Sequence, residues 1–220
     1  MKNRWKEVCE RWVRRLGNYT GSVYLLTPRE ARGRVSLGDA LGLTGIAMDT
    51  DFRDILRQRG KWQGPGFAAV VALDRIETTK ALLATVLHEF CHHAEYEAIR
   101  SLLAQHVGPE KVSAAFDTPR DGEIAATSEE REIVRQHGPA FQRLALHLER
   151  RAAQAGLFVD IGVARHYGLP SFELRRALGA EPDQLAGLPL TQVAALEPPE
   201  TFVEFSRAAY DRAKQQLQKG

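Results

Sequence analysis

The sequence predicts an α+β protein in which a small sheet packs against one long helix. Two observations predict this class. Short β-favouring runs, bounded by Gly and Pro, precede the longest stretch with helical spacing of apolar residues. The last of these runs, Phe67–Leu73, is apolar throughout, as expected of a buried strand. We therefore expect a sheet of about three strands that covers one side of the following helix.

Apolar residues at three- and four-residue spacing predict the helices. They run over 3–16, from Asp51 to Arg59, from Thr78 or Thr79 to about Ser101, and from Pro139 to near Gly156. Threonine is a good N-cap and proline is favoured at the first helical position, which fixes the start of the last two helices. The third helix carries one apolar stripe, made of Leu83, Val86, Leu87, Phe90 and Ala94.

The remaining segments are strands, a long loop and a helical C-terminal part. Strands are predicted at Val23–Thr27, Gly45–Asp49 and Phe67–Leu73. The polar segment 108–128, which contains Gly and Pro, is predicted to be a loop or insertion. We divide the chain into a domain over residues 1–165 and a helical extension over 166–220, with a last helix at roughly 199–218.

Composition excludes several classes of protein. The 220 residues are 44% hydrophobic and 26% charged, which is typical of a globular protein. The two cysteines, Cys9 and Cys91, are too few for a disulfide framework or a four-cysteine zinc ribbon. No apolar run reaches the roughly 18 residues of a membrane helix, and no signal core follows the charged N-terminus. We therefore expect a cytoplasmic protein without a membrane partner.

Positive charge is concentrated in the first part of the chain. Residues 1–61 carry 13 Lys or Arg against 7 Asp or Glu, whereas the whole chain has a net charge of only +2. A basic segment with Trp5, Trp12 and Trp62 could attract DNA and stack on its bases. The competing interpretation is a solvated helix surface, with Trp5 and Trp12 in the core.

The chemistry is carried by His88-Glu89-Phe90-Cys91-His92 on the longest predicted helix. Two histidines four residues apart lie on one face of a helix, where their nitrogens can bind one Zn2+. Glu89 lies beside the open coordination position and can take a proton from the zinc-bound water. The sequence therefore predicts a zinc-dependent hydrolase with Glu89 as the catalytic base.

A catalytic zinc needs a third protein ligand, and the motif itself does not supply one. The metzincin extension fails, because Glu95 and Ala98 stand where that pattern requires Gly and His. His137, just before Pro139, is the first candidate, and a glutamate among Glu129, Glu130 and Glu132 is the alternative. His93 and Tyr96 could polarise a substrate carbonyl, although a surface or packing role is the favoured interpretation for both.

The two segments His88-Glu89-Phe90-Cys91-His92-His93 and His137-Gly138-Pro139-Ala140-Phe141 together resemble the SprT-like family of zinc metallopeptidases, which includes the Spartan proteases. The resemblance covers roughly residues 20–155. It implies a zincin-like fold, with His88, His92 and His137 as zinc ligands and Glu89 as the base. It also implies that the protein hydrolyses peptide bonds and that its substrates are proteins associated with DNA.

A second class of function also fits the motif. A zinc site can stabilise a binding or regulatory module that has no catalytic activity. A Glu89 side chain that is buried without a cleft would favour such a module, and loss of hydrolysis with retained zinc in Glu89→Gln would favour the enzyme.

Overall fold

The computed structural model describes seven stretches of the chain: residues 4–31, 41–44, 53–107, 139–161, 183–197, 199–200 and 204. Their helices and strands are α1 (Arg4–Gly17), β1 (Ser22–Leu26), β2 (Gly42–Leu43), α2 (53–58), β3 (Gly66–Val71), α3 (Thr79–Val107), α4 (Pro139–Gln154) and α5 (Leu190–Ala195). Short 3-10 turns occupy Leu73–Arg75 and Asp183–Gly187. The mixture of helices with one small sheet confirms the α+β class.

The sheet has β3 at its centre, with the order β1-β3-β2. β1 runs parallel to β3, so that Ser22 lies opposite Gly66, and β2 runs antiparallel to it, with Gly42 opposite Val71. A Cβ atom at Gly66 would collide with the Ser22 carbonyl group, so glycine permits this close pairing. Predicted strands β1 and β3 are confirmed, whereas Gly45–Asp49 lies outside the described residues.

Helix α3 is the central element of the molecule. The Thr78 hydroxyl accepts a hydrogen bond from the Ala81 N–H at 3.0 Å, which confirms the predicted N-cap. The predicted apolar stripe is buried, but burial also extends to Cys91 and His93 at its edges and to Glu89 beyond it. A single stripe was therefore too narrow a prediction, because α3 contacts the sheet, α1, α4 and α5 together.

The described part of the predicted C-terminal extension shares the core of α3. Leu190 and Val193 of α5 belong to the same buried cluster as Phe90. The Arg151 guanidinium of α4 donates to the carbonyls of Leu16, Leu185 and Leu188 at 2.8, 3.0 and 2.8 Å, and so ties three segments together. Residues 183–197 are thus packed on α3, while the boundary at residue 165 stays a prediction.

A search of the described residues for a helix long and apolar enough to cross a bilayer finds none.

Candidate metal centre

His88 and His92 lie one turn apart on α3 and present their rings to the same side. The ring centroids are 5.0 Å apart and the planes are inclined by 76°. A tetrahedral zinc with Zn–N bonds of about 2.0–2.1 Å places two ligand imidazole centroids about 5 Å apart. The separation of the two ring centroids is therefore compatible with a shared tetrahedral ion.

A backbone carbonyl fixes the protonation of His88. The Nδ1 atom of this ring lies 2.8 Å from the Ile161 carbonyl oxygen. A carbonyl oxygen only accepts hydrogen bonds, so the proton of a neutral imidazole here must sit on Nδ1. The Nε2 atom then carries the lone pair that a metal ion needs, which is the usual arrangement of a metal-binding histidine.

Phe141 of α4 holds both imidazoles from the other side. Its ring centroid lies 4.8 Å from that of His88 and 4.4 Å from that of His92. Phe141 is buried, with 1% of its surface exposed. The start of α4 at Pro139, predicted from proline's preference for the first helical position, therefore brings the segment that follows His137 in the sequence against the histidine pair.

Glu89 is a buried carboxyl group beside strand β2. Only 6% of its surface is exposed, and burial raises its pKa from 4.5 to about 8. The Thr44 N–H donates a hydrogen bond to this side chain and lowers the pKa in part. A Cβ atom at Gly42 would lie 2.8 Å from the Glu89 Oε1 atom, so β2 passes this carboxyl group at a distance that only glycine permits.

A catalytic zinc needs a third protein ligand in addition to His88 and His92. Within the described stretches, no group of three or more His, Cys, Asp or Glu side chains could hold a metal ion. His137, Glu129, Glu130 and Glu132 all lie outside those stretches. The described residues thus bring together His88, His92 and Glu89, which are two potential ligands and one potential base.

His93 is a core residue, in agreement with a packing role. It is buried among the rings of Tyr19, Phe67 and Phe90. The Tyr19 hydroxyl accepts a hydrogen bond from the Phe67 N–H at 2.9 Å and lies 3.3 Å from His93 Nε2, to which it can donate its own proton. Burial lowers the pKa of His93 from 6.5 to about 4, so the ring is neutral near pH 7.

Two residues that the motifs did not indicate also border the site. Ile161 supplies the carbonyl group for His88, and its N–H donates to Glu149 Oε1 at 2.9 Å. Burial raises the pKa of Glu149 from 4.5 to about 7, against the lowering effect of the Ile161 N–H. No sequence signal marks either residue, because the contacts join positions 73 and 12 residues apart.

Comparisons of this chain with protein-family models, with curated proteins and with solved structures give no match. The chemistry of the site therefore has to be inferred from its own residues.

Proposed function

We propose that this protein is a zinc-dependent metallopeptidase of the SprT-like type with a zincin-like fold. The observation that carries the proposal is the geometry of the histidine pair, together with the position of the proton on His88. His88 and His92 have the centroid separation of tetrahedral zinc ligands, and the Ile161 carbonyl places the proton of a neutral His88 on Nδ1 and the lone pair on Nε2. Glu89 is the next residue along the same helix, and its carboxyl group is buried. Burial of this group also fits the non-catalytic zinc module, so the Glu89→Gln experiment has to separate the two functions.

His137 is the third ligand in this proposal. It precedes Phe141, whose ring packs on both imidazoles, by four positions in the sequence. Four residues span at most about 14 Å even when fully extended, and a ligand from His137 is compatible with this limit. A carboxylate from Glu129, Glu130 or Glu132 is the alternative, since carboxylate oxygens also bind zinc.

Zinc in this site would supply a Lewis acid that polarises the scissile carbonyl group and acidifies a water molecule. Glu89 accepts one proton from the attacking water, whose oxygen forms the new bond to the carbonyl carbon. Its carboxylic acid then donates that proton to the amine nitrogen as the C–N bond breaks. Without a metal ion, burial raises the pKa of Glu89 to about 8. The charge of a zinc ion at His88 and His92 would favour the carboxylate form, which is the form that can accept the proton.

Strand β2 provides a place for an extended peptide substrate. In the described sheet β2 pairs only with β3, and its other side is therefore an edge. β2 also lies directly against Glu89. A peptide that adds as a further strand would use main-chain hydrogen bonds and would run past the catalytic carboxyl group. Such binding suits peptide bonds in unfolded or extended segments.

Contact with DNA is a second part of the proposal. Arg4, Arg11 and Arg15 of α1 are exposed, whereas Lys6 and Arg14 are paired with Glu30 and Glu10. These three arginines repeat at seven and four positions and so share one side of the helix. They would contact phosphates, while Trp5 and Trp12 pack partly against the core and are not free to stack on bases.

Glu89→Gln separates the peptidase from the non-catalytic zinc module. We expect wild-type protein to bind one zinc ion and to cleave an unfolded protein such as casein, with single-stranded DNA present or absent. Glu89→Gln should retain zinc and lose roughly 10²–10⁴-fold in kcat, because proton transfer is lost. The matched control is Glu77→Gln, an exposed carboxyl group just before α3, which should keep full activity.

Three outcomes of this experiment decide between the functions. Wild-type protein that holds zinc but cleaves no substrate favours the zinc-stabilised module. Glu89→Gln with wild-type hydrolysis contradicts the role of the base. Stimulation by DNA that disappears with rising salt and in an Arg4/Arg11/Arg15 triple alanine variant supports the DNA contact.

A further inference from the structure

The way in which helix α4 ends determines the direction of the segment 157–161 that follows it. Gly156 has a φ of 78°, in the left-handed region that favours glycine. The Leu157 N–H donates to the Ala152 carbonyl at 2.8 Å, and the Gly156 N–H donates to the Ala153 carbonyl at 3.0 Å. These two bonds form a Schellman motif, which ends a helix and reverses the chain. The segment therefore returns beside α4 instead of continuing away from it.

Ile161, at the end of this segment, is hydrogen-bonded through both of its backbone groups. Its N–H donates to Glu149 Oε1 at 2.9 Å, and its carbonyl accepts from His88 Nδ1 at 2.8 Å. The Ile161 side chain is buried in the main core, with 2% of its surface exposed. One residue thus connects a carboxyl group of α4 with an imidazole of α3.

We propose that Glu149 is a positioning residue for the metal centre. By holding the Ile161 N–H, it keeps the Ile161 carbonyl at His88 Nδ1, and this carbonyl keeps the His88 proton away from Nε2. This role presupposes that His88 binds zinc, as proposed above. Partners that hydrogen-bond a metal-binding histidine fix its tautomer and orientation, and their loss typically weakens metal binding by about 10–100-fold.

Glu149 acts through Ile161 and not as a metal ligand. In the part of the chain that the structure describes, it joins no group of three or more side chains that could hold a metal ion. Its Oε1 atom is already engaged by the Ile161 N–H. The charge of Glu149 also contributes, after burial, to the raised pKa of the Cys91 thiol on α3.

The test compares Glu149→Ala, Glu149→Gln and Glu149→Asp with the exposed control Glu77→Gln. Glu149→Ala removes the acceptor for the Ile161 N–H, whereas Glu149→Gln retains an amide oxygen at the same place. Glu149→Asp keeps the charge but withdraws the carboxyl group by one methylene group. If Glu149→Ala fails to fold, Glu149→Asp carries the same comparison.

The first measurement uses metal-free protein and therefore does not depend on zinc chemistry. Nitrogen-15 NMR of the imidazoles, with the His88 signals identified by their loss in His88→Gln, reports which ring nitrogen carries the proton. We expect the Nδ1–H tautomer in wild-type protein, Glu149→Gln and Glu77→Gln. In Glu149→Ala or Glu149→Asp we expect a mixture of tautomers.

The second measurement is zinc affinity by competition with a chelator. Glu149→Ala or Glu149→Asp should bind zinc about 10–100-fold more weakly than wild-type protein, and Glu149→Gln should restore most of the loss. A role in folding alone would lower the melting temperature and leave both the tautomer and the zinc affinity of the folded protein unchanged, which would overturn the proposal. Wild-type protein that binds no zinc would refute the proposed function, while the tautomer measurement would still test Glu149.

Discussion

Three histidines within six positions of α3 meet two different environments. His88 faces a backbone carbonyl and Phe141, and His92 faces the same phenylalanine ring. His93, on another face of the helix, is enclosed by aromatic rings and is paired with the Tyr19 hydroxyl. The comparison teaches that three histidines on one helix are not equivalent as metal ligands. The hydrogen-bond partner of each ring makes the difference, because it determines which ring nitrogen carries the proton.

The same contrast applies to Glu89 and His93, two of the three buried groups on this helix whose pKa burial changes strongly; the third is Cys91. In the protein without a metal ion, burial keeps both Glu89 and His93 neutral near pH 7, since it raises the pKa of the carboxyl group and lowers the pKa of the imidazole. A neutral imidazole bonded to a hydroxyl suits a core. Ionisation of a carboxyl group that is buried beside Gly42 of β2 lowers the stability of the protein. Such a cost is typical of a functional group. The pH dependence of stability can therefore distinguish these two sides of α3.

The largest effect is expected for Glu89 in chelated protein. Its folded pKa is raised to about 8 from 4.5, so its contribution to stability is complete below pH 4.5 and is lost as the pH rises to about 8. The full loss corresponds to about 5 kcal/mol, at about 1.4 kcal/mol per pKa unit. Glu89→Gln cannot ionise, so it should become more stable than wild-type protein as the pH rises. Urea unfolding from pH 5 to pH 9 measures the difference, and parallel curves would show that Glu89 is not buried.

A smaller effect of opposite sign is expected for His93. Its folded pKa is lowered to about 4 from 6.5, so the unfolded state binds a proton first and stability falls as the pH drops below 6.5. The loss approaches about 3 kcal/mol near pH 4. His93→Gln keeps an acceptor for the Tyr19 hydroxyl without this titration. Urea unfolding of chelated protein from pH 7 to pH 4 should show a shallower decline for His93→Gln, and an unchanged decline would place His93 in water.

The smallest effect is expected where β2 passes Glu89. The added methyl group of Gly42→Ala would lie 2.8 Å from Glu89 Oε1 and from Thr85 Cγ2, so the strand or the carboxyl group must shift. We expect a loss of about 1–3 kcal/mol in stability, as is usual for overpacking, together with slower hydrolysis. Gly187→Ala is the matched control, because nothing lies within 4 Å of its added methyl group. Equal melting temperatures and rates for the two variants would contradict the close approach of β2 to Glu89.

Local signals in the sequence predicted the features that depend on neighbouring residues. Thr78 and Pro139 fixed the starts of α3 and α4, because capping and the proline ring act within one turn. The spacing of His88 and His92 predicted that their rings share a face, since that follows from helix geometry alone. These predictions needed no knowledge of the remaining chain.

The features that the sequence did not predict depend on contacts between distant segments. Burial of several faces of α3 follows from packing by both the sheet and three other helices, which a stripe pattern cannot reveal. The bridge from Glu149 through Ile161 to His88 depends on a chain reversal at Gly156 and on side chains that carry no motif. His147 of α4 is only 2% exposed, because α4 is enclosed on more sides than the spacing of its apolar residues suggests.

The metal centre itself is tested most directly by zinc X-ray absorption on wild-type protein, His92→Gln and His93→Gln. We expect one zinc ion per wild-type chain, with Zn–N distances of about 2.0–2.1 Å and imidazole scattering. His93→Gln should give the same spectrum, whereas His92→Gln should lose one imidazole or the ion itself. A wild-type chain that binds no zinc, or a spectrum that His92→Gln leaves unchanged, would contradict a metal centre at His88 and His92.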